Sequence, residues 1–398
     1  MDRPLAGLRI VEGAAFVAGP SCALMFAQLG AEVIRFDAIG GGPDYGRWPL
    51  SPDGRSLYWE GLNKGKKSIA IDLRAPEGRT LAQRLATSGD GIFVTNYPLD
   101  GFLSYDTLAK LRPDLIAARV MGWPDGRQAV DYTVNAATGF PLLTGPVETD
   151  APVNHVLPAW DLLAGAQAAF SLLAALRARD VTGSGCDIRL ALSDVAAATL
   201  GTLGMVGEAL SGGDQRPRTG NDLYGLFGRD FETADGERVM IVAITPRQWT
   251  GLIDLLSLRE AVEAIERTRG VFFEKDEGAR FRHREALLPL FVHAIGQRTR
   301  AQLGPALDAA GMCWAPYRSV DQAVTDPGGL VAGNTLYGDV AHPSGTYPTP
   351  GFPASFDGLR ASLLATHRLG ADTDEVLATT LGLDSQEIAR LHDRGVVA

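Results

Sequence analysis

Apolar and polar positions along this chain alternate between two rhythms. The runs LRIVEG (8–13), AEVIRFD (31–37), KKSIAIDL (66–73), GIFVTN (91–96) and DLIAARVMGW (114–123) have the length and β-branched content of buried strands. Between them, AGPSCALMFAQLG (18–30) and PEGRTLAQRLATSG (76–89) carry helical spacing. Pro20 suits a first turn, Gly30 a stop, and Arg79 and Arg84 a polar face. A strand, a helix and a second strand in so short a span predict a βαβ unit, and its repetition predicts a doubly wound α/β domain. The longest apolar run, 156–176, holds Pro158, Asp161 and Gln167 and predicts a buried core helix over 162–179 rather than a membrane span. GCDIRLALSD (185–194) reads as a strand entering a helix over 195–210.

The rhythm breaks at SGGDQRPRTGND, so residues 1–210 are expected to form the first part of a large domain and 211–224 a linker. Residues 225–330 read as a small α+β domain opened by a hairpin at ADGE, and 331–398 as a return segment that completes the large domain. A length of 398 residues agrees with two domains. The net charge of −10 disfavours nucleic acid and membrane surfaces as partners. Cys22, Cys186 and Cys313 form no CxxC pair and the six histidines are scattered, so no metal site is expected. MDRPLAGLRIVEG runs straight into a strand without a leader, which predicts a cytoplasmic protein.

Few residues suggest chemistry. Asp37 ends the second strand where a ribose-binding acid would sit, but the glycines before it do not form G-x-G-x-x-G, which argues against a dinucleotide site. No G-x-S-x-G, H-E-x-x-H or Walker A sequence is present. Lys64, Lys66, Lys67 and Arg74 form a basic cluster that is either a solvated turn or a landing site for phosphate. Arg216, Arg218 and Arg229 are either part of a mobile linker or a carboxylate clamp. Asp161 is the single charge in its run until Arg177. It suits a helix N-cap, and it also suits a nucleophile kept ionised by a helix start. His155 has no Ser or Cys nucleophile beside it and reads as structural or substrate-contacting.

Five blocks in order resemble the class III CoA-transferase (CaiB/BaiF) family nearly end to end. They are the opening PLAGLRIVEG to AEVIRFD, then NKGKKSIAIDL, FVTNY, AWDLLAGAQAAFSLLAALRARDVTGSGCDIRLALSD and RLGADTDEVLATTLGLDSQEIARLHDRGVV. The resemblance implies a class III CoA-transferase fold: a Rossmann-like large domain, a smaller inserted domain, and an interlocked ring homodimer. It places the catalytic Asp on Asp161 and CoA contacts on Val17, Ala18, Ile71, Asp72, Arg74, Asn96 and Tyr97, with Phe16 a weaker candidate. A basic residue of some members falls on Ala38 here. Coenzyme A enters as part of an acyl-CoA substrate, and no tightly bound cofactor is implied. GGGPDYGRWP, VNHVLPAWD and RPRTGNDLYG further resemble a subgroup that moves CoA between the two carboxyls of one dicarboxylate. Arg47, Tyr132, His155, Arg218 and Tyr224 are its candidate substrate contacts. Other members of the family transfer CoA between molecules or racemise 2-methylacyl-CoA. The racemases carry a His directly before an Asp, where QAVDYTVN has Val130, so a base for proton exchange is missing. A non-catalytic acyl-CoA-binding protein would have lost the nucleophile, and Asp161 is present.

Overall fold

A computed structural model of the chain describes residues 3–213 and 215–398. The described residues of 1–138, 155–213 and 333–398 form one compact unit, and those of 139–154 and 214–332 a second. Residues 139–154, placed within the large domain by the sequence pattern, cluster with the second unit for a physical reason. The Arg218 guanidinium donates to the carbonyls of Leu142 and Ala151, each at 3.0 Å, and so ties that loop to its own segment.

The first unit is built on six parallel strands, β1 (Arg9–Gly13), β2 (Glu32–Ala38), β3 (Lys66–Ile71), β4 (Ile92–Thr95), β5 (Ile116–Met121) and β6 (Cys186–Ala191). Their order is 3-2-1-4-5-6, and Val11 of β1 pairs with Ile34 on one side and Phe93 on the other. The inner strands are buried on both faces, so they read as unbroken apolar runs instead of alternating ones. Strand order reverses between β1 and β4, and a parallel sheet opens a crevice at the carboxyl ends there.

Helices α1 (Ala18–Gln28), α2 (Leu57–Leu62), α3 (Pro76–Ala86), α4 (Tyr105–Leu111) and α5 (Asp131–Ala137) follow in this unit, and the short α6 (Phe140–Leu143) lies in the second. Then come α7 (Ala159–Thr182), α8 (Leu192–Thr202) and α9 (Met205–Leu210). The single helix expected over 195–210 is thus two, separated at Gly204, whose φ of +75° ends the first. Helix α7 packs on α1, α5, α8, β5 and β6. It passes closest to α1 at Gly165, where an added Cβ would lie 2.1 Å from Ser21 Oγ and 2.9 Å from the Ala18 carbonyl oxygen. By length and composition α7 could cross a membrane. Its face bearing Trp160, Ala164, Ala168 and Leu172 is buried, whereas Leu163, Phe170, Leu173 and Val181 are exposed. The expectation of a fully buried core helix therefore holds for one face only.

In the second unit, β7 (Phe227–Glu232), β8 (Arg238–Ala243) and β9 (Cys313–Pro316) form an antiparallel sheet. Helices α10 (Pro246–Leu255), α11 (Arg259–Arg269), α12 (Glu277–Arg282), α13 (Arg284–Gly296), α14 (Arg300–Ala309) and α15 (Val320–Thr325) accompany it. Its core centres on Phe227, Trp249, Phe273 and Phe291. The chain then re-enters the first unit through the hairpin β10 (Tyr337–His342) and β11 (Gly345–Pro350), within the stretch read from sequence as a return segment. Helices α16 (Thr373–Leu381) and α17 (Ser385–Asp393) follow. Val376, Leu377, Ile388 and Leu391 fill a core shared with Ile34, Ile69, Ile71 and Leu81.

Candidate active site

A cavity of about 730 Å³ opens at the carboxyl ends of β1, β2, β4 and β5, where the strand order reverses. Its wall includes Phe16, Val17 and Ala18 after β1, Ala38 at the end of β2 with Gly41 to Pro43 beyond it, and Asn96 to Asp100 after β4, together with Asp161. The loop after β1 is held in place by polar contacts. The Asn96 side chain exchanges hydrogen bonds with the Ala15 backbone at 2.9 and 3.1 Å, and Phe16 N–H donates to Asp44 Oδ2 at 3.0 Å. Phe16 carries a φ of +70°, an unfavourable conformation for a bulky residue that these contacts enforce.

Below the cavity, Arg35 lies among three acids, at 2.9 Å from Glu12, 2.7 Å from Asp37 and 3.4 Å from Asp44. Lys66 reaches Glu12 at 2.7 Å. This corrects the reading of the basic stretch. Lys66 is a buried ion-pair partner, Lys67 pairs with Glu32 and Glu375, and Lys64 is buried, its ammonium pushed down to about 8 by desolvation. Lys64 and Lys66 are thus too buried for a solvated turn or a phosphate landing site, whereas Lys67 is part-exposed and Arg74, the fourth member of the cluster, is exposed. Asp37 is held by Arg35.

Asp161 stands in the first turn of α7, half-buried, and the N-cap is Pro158, which offers no side-chain acceptor. The cap comes instead from α5. Asp131, 1% exposed, accepts the N–H of Trp160 at 2.7 Å and that of Asp161 at 3.2 Å on Oδ2, while its Oδ1 lies 2.6 Å from His155 Nε2. Both local readings of Asp161 change in consequence. It is not the N-cap, and those two N–H groups are not free to hold it ionised or to meet an oxyanion. Burial pushes the Asp161 carboxyl up to about 6, the Asp131 carboxylate adds to the rise, and Arg47 opposes it. The Arg47 guanidinium lies 5.4 Å from the ring centroids of both Phe16 and Tyr58 and makes no ion pair among the described residues. A half-buried carboxylate at a cavity wall, with a cation beside it that makes no ion pair among the described residues, suits acyl transfer to or from a substrate carrying a second carboxylate.

Of the residues singled out from sequence, Phe16, Val17, Ala18, Asn96, Tyr97 and Asp161 line this cavity, and Arg47 lies outside its lining. Ile71 is fully buried in the core, and Asp72 is paired with Arg74, whose side chain is 93% exposed; none of the three lines it. Tyr132 and His155 flank Asp131, their rings 5.7 Å apart. Arg218 and Tyr224 lie in the second unit. Arg218 is surrounded by backbone carbonyls of 141–151, which leaves it a structural tie instead of a carboxylate clamp. Arg229 faces Asp222 at 3.5 Å, and Arg216 stacks on Tyr224 at 4.3 Å. Sequence reasoning missed two residues. Asp131 follows Val130 in QAVDYTVN, and nothing in that local sequence points to a partner on another helix. Arg127, exposed on the cavity rim 4.8 Å from the Trp123 ring, carried no signal. The other cavity cation, Arg119, is buried and donates to the Pro98 and Leu103 carbonyls. Among the described residues no cluster of three or more potential metal ligands occurs.

The chain matches the profile of CoA-transferase family III over residues 5–373. It is 47% identical over 400 residues to a 2-methylfumaryl-CoA isomerase of Chloroflexus aurantiacus, covering 99% of this chain and 98% of that one. It is 26% identical to a formyl-CoA:oxalate CoA-transferase of Rhodopseudomonas palustris, over 100% and 98% of the two chains. A crystal structure of a CaiB/BaiF family protein from Brucella suis superposes with a TM-score of 0.77 at 25% identity, over 95% of this chain and 99% of that one.

Proposed function

The chain belongs to CoA-transferase family III, and from that premise we propose that it isomerises 2-methylfumaryl-CoA to 3-methylfumaryl-CoA by moving CoA from C1 to C4 of mesaconate. The observation that carries this reading is the near full-length 47% identity to an enzyme named for that isomerisation. The unpaired Arg47 guanidinium, which acts on the Asp161 carboxylate, supports it.

In this reading Asp161 attacks the C1 thioester carbonyl. A C–O bond forms, the C–S bond breaks, and CoA leaves as thiolate, giving a mixed anhydride. The thiolate attacks the aspartyl carbonyl and releases mesaconate, leaving an aspartyl-CoA thioester. The C4 carboxylate of the retained mesaconate attacks that thioester and again expels the thiolate. The thiolate then attacks C4 and frees the Asp161 carboxylate. No step moves a proton, which suits Val130 where the racemases have His. Arg47 holds the free carboxylate of the diacid, and Arg127 meets the CoA phosphates at the rim. A mesaconate held in the pocket has an effective concentration orders of magnitude above that of free acid. A second copy of the chain covers the bare apolar face of α7, as in the ring homodimer that the family resemblance implies.

The test is to mix unlabelled 2-methylfumaryl-CoA and enzyme with excess ¹³C-mesaconate. Unlabelled 3-methylfumaryl-CoA at early times is expected. Label entering in proportion to free acid would make the protein an intermolecular CoA-transferase.

A further inference from the structure

The geometry points to Asp131 as a positioning residue for Asp161. One of its oxygens clamps the main chain at 160 and 161, the other meets His155, and a second carboxylate is thereby placed beside the reacting one. This rests on the reading of Asp161 as nucleophile.

A helix start needs acceptors for its first N–H groups, and a Ser, Thr or Asp at 158 would supply one locally. Here that residue is Pro158, and the acceptor comes from α5. A cap from another helix does what a local cap cannot: it fixes the first turn of α7, and with it the entry of the Asp161 side chain into the cavity, relative to the loop that carries Val130. His155, on the strap before α7, holds the same carboxylate from the other side, so strap, α5 and α7 meet at one buried group.

The charge has a second effect. A neighbouring carboxylate in a partly desolvated place disfavours the ionised form of Asp161, which makes it more basic and so a better nucleophile once ionised. The other charged group that shifts Asp161 is Arg47, from the loop after β2; Tyr58 on α2 is itself raised in part by Asp161, and α5 also carries Tyr132. The remaining elements packed on α7 carry Cys22 (α1), Arg119 (β5), Cys186, Asp187 and Arg189 (β6) and Asp194 (α8), and none of these is among the groups that shift Asp161. A neutral Asn at 131 keeps one acceptor and removes the charge, whereas Ala removes both.

The experiment measures kcat and KM for 2-methylfumaryl-CoA from pH 4.5 to 8 in wild type, Asp131→Asn and Asp131→Ala, with thermal melts of each. Hydroxylamine trapping of the acyl-enzyme, read by peptide mass spectrometry, runs alongside. In Asp131→Asn the acid limb of kcat should move down by roughly half a pH unit or more. Asp131→Ala should lose roughly 10²-fold in kcat, with KM changed far less. An Asp131→Asn enzyme with the wild-type acid limb and kcat would reduce Asp131 to a helix cap and overturn the inference. If Asp131→Ala does not fold, the Asn variant decides alone. Failure of the nucleophile reading itself looks different: wild type turns over, yet hydroxylamine never marks Asp161.

Discussion

In the proposed reaction Asp161 attacks as a carboxylate, and it sits where ionisation is disfavoured. Its carboxyl is raised to about 6 against an ordinary value near 4. Activity should therefore fall on acidification through about pH 6. The same shift has a stability consequence of opposite sense. A carboxylate whose folded pKa is raised costs the fold nothing below the unfolded pKa; the cost grows as pH rises from about 4 to 6 and stays constant above. Asp161→Asn is expected to lose turnover by ~10³-fold or more. It should also gain about 1 kcal/mol at pH 7.5, discounted for its contact with the open cavity. Melts at pH 7.5 and pH 4 check this: the gain should shrink toward zero at the lower pH, and a variant less stable than wild type at pH 7.5 would contradict it. What sequence conveyed at this scale was residue type and little of its surroundings. Asp161 was legible as a lone acid at a helix start. That its helix is capped by Asp131 was not, because the cap arrives from another helix. Lys66 looked like surface charge because its partner Glu12 lies on a different strand.

At the level of elements, the apolar runs located β1 to β6 and α7, since each is long enough to bury a face by its own pattern. The split between α8 and α9 and the β10–β11 hairpin escaped, because the first turns on the backbone of one glycine and the second on pairing between segments rich in Gly and Pro. One close joint between elements is the α1–α7 crossing at Gly165. A methyl group there meets the Ser21 hydroxyl, which can turn away only by giving up its hydrogen bond to Ala18, and the Ala18 carbonyl oxygen, which cannot yield without moving α1. Gly165→Ala should cost about 1–3 kcal/mol. Because α1 begins at the Val17–Ala18 strip and Asp161 lies one helical turn from the crossing, KM for the acyl-CoA should rise as well. Denaturant titration and steady-state kinetics of the one variant check both, and wild-type values in both would show that the crossing relaxes freely.

For the whole molecule, the exposed stripe of α7, with Phe170 75% exposed, is more apolar surface than a solitary helix usually presents to water. Phe170→Glu should shift sedimentation toward the monomer, and an unchanged dimer, or a wild type that is monomeric at micromolar concentration, would remove this face from the interface. The return of the chain into its first unit has a consequence in time. The sheet is laid down first, and Val376, Leu377, Ile388 and Leu391, which complete its core, are made last, after residues 214–332. On the ribosome the nascent first unit therefore waits, on the order of ten seconds at ordinary elongation rates, with β3 as an unpaired edge and Ile69, Ile71 and Leu81 uncovered. The hazard for this protein lies in that interval: it is during translation, before α16 and α17 emerge, that the chain most depends on chaperones to stay soluble.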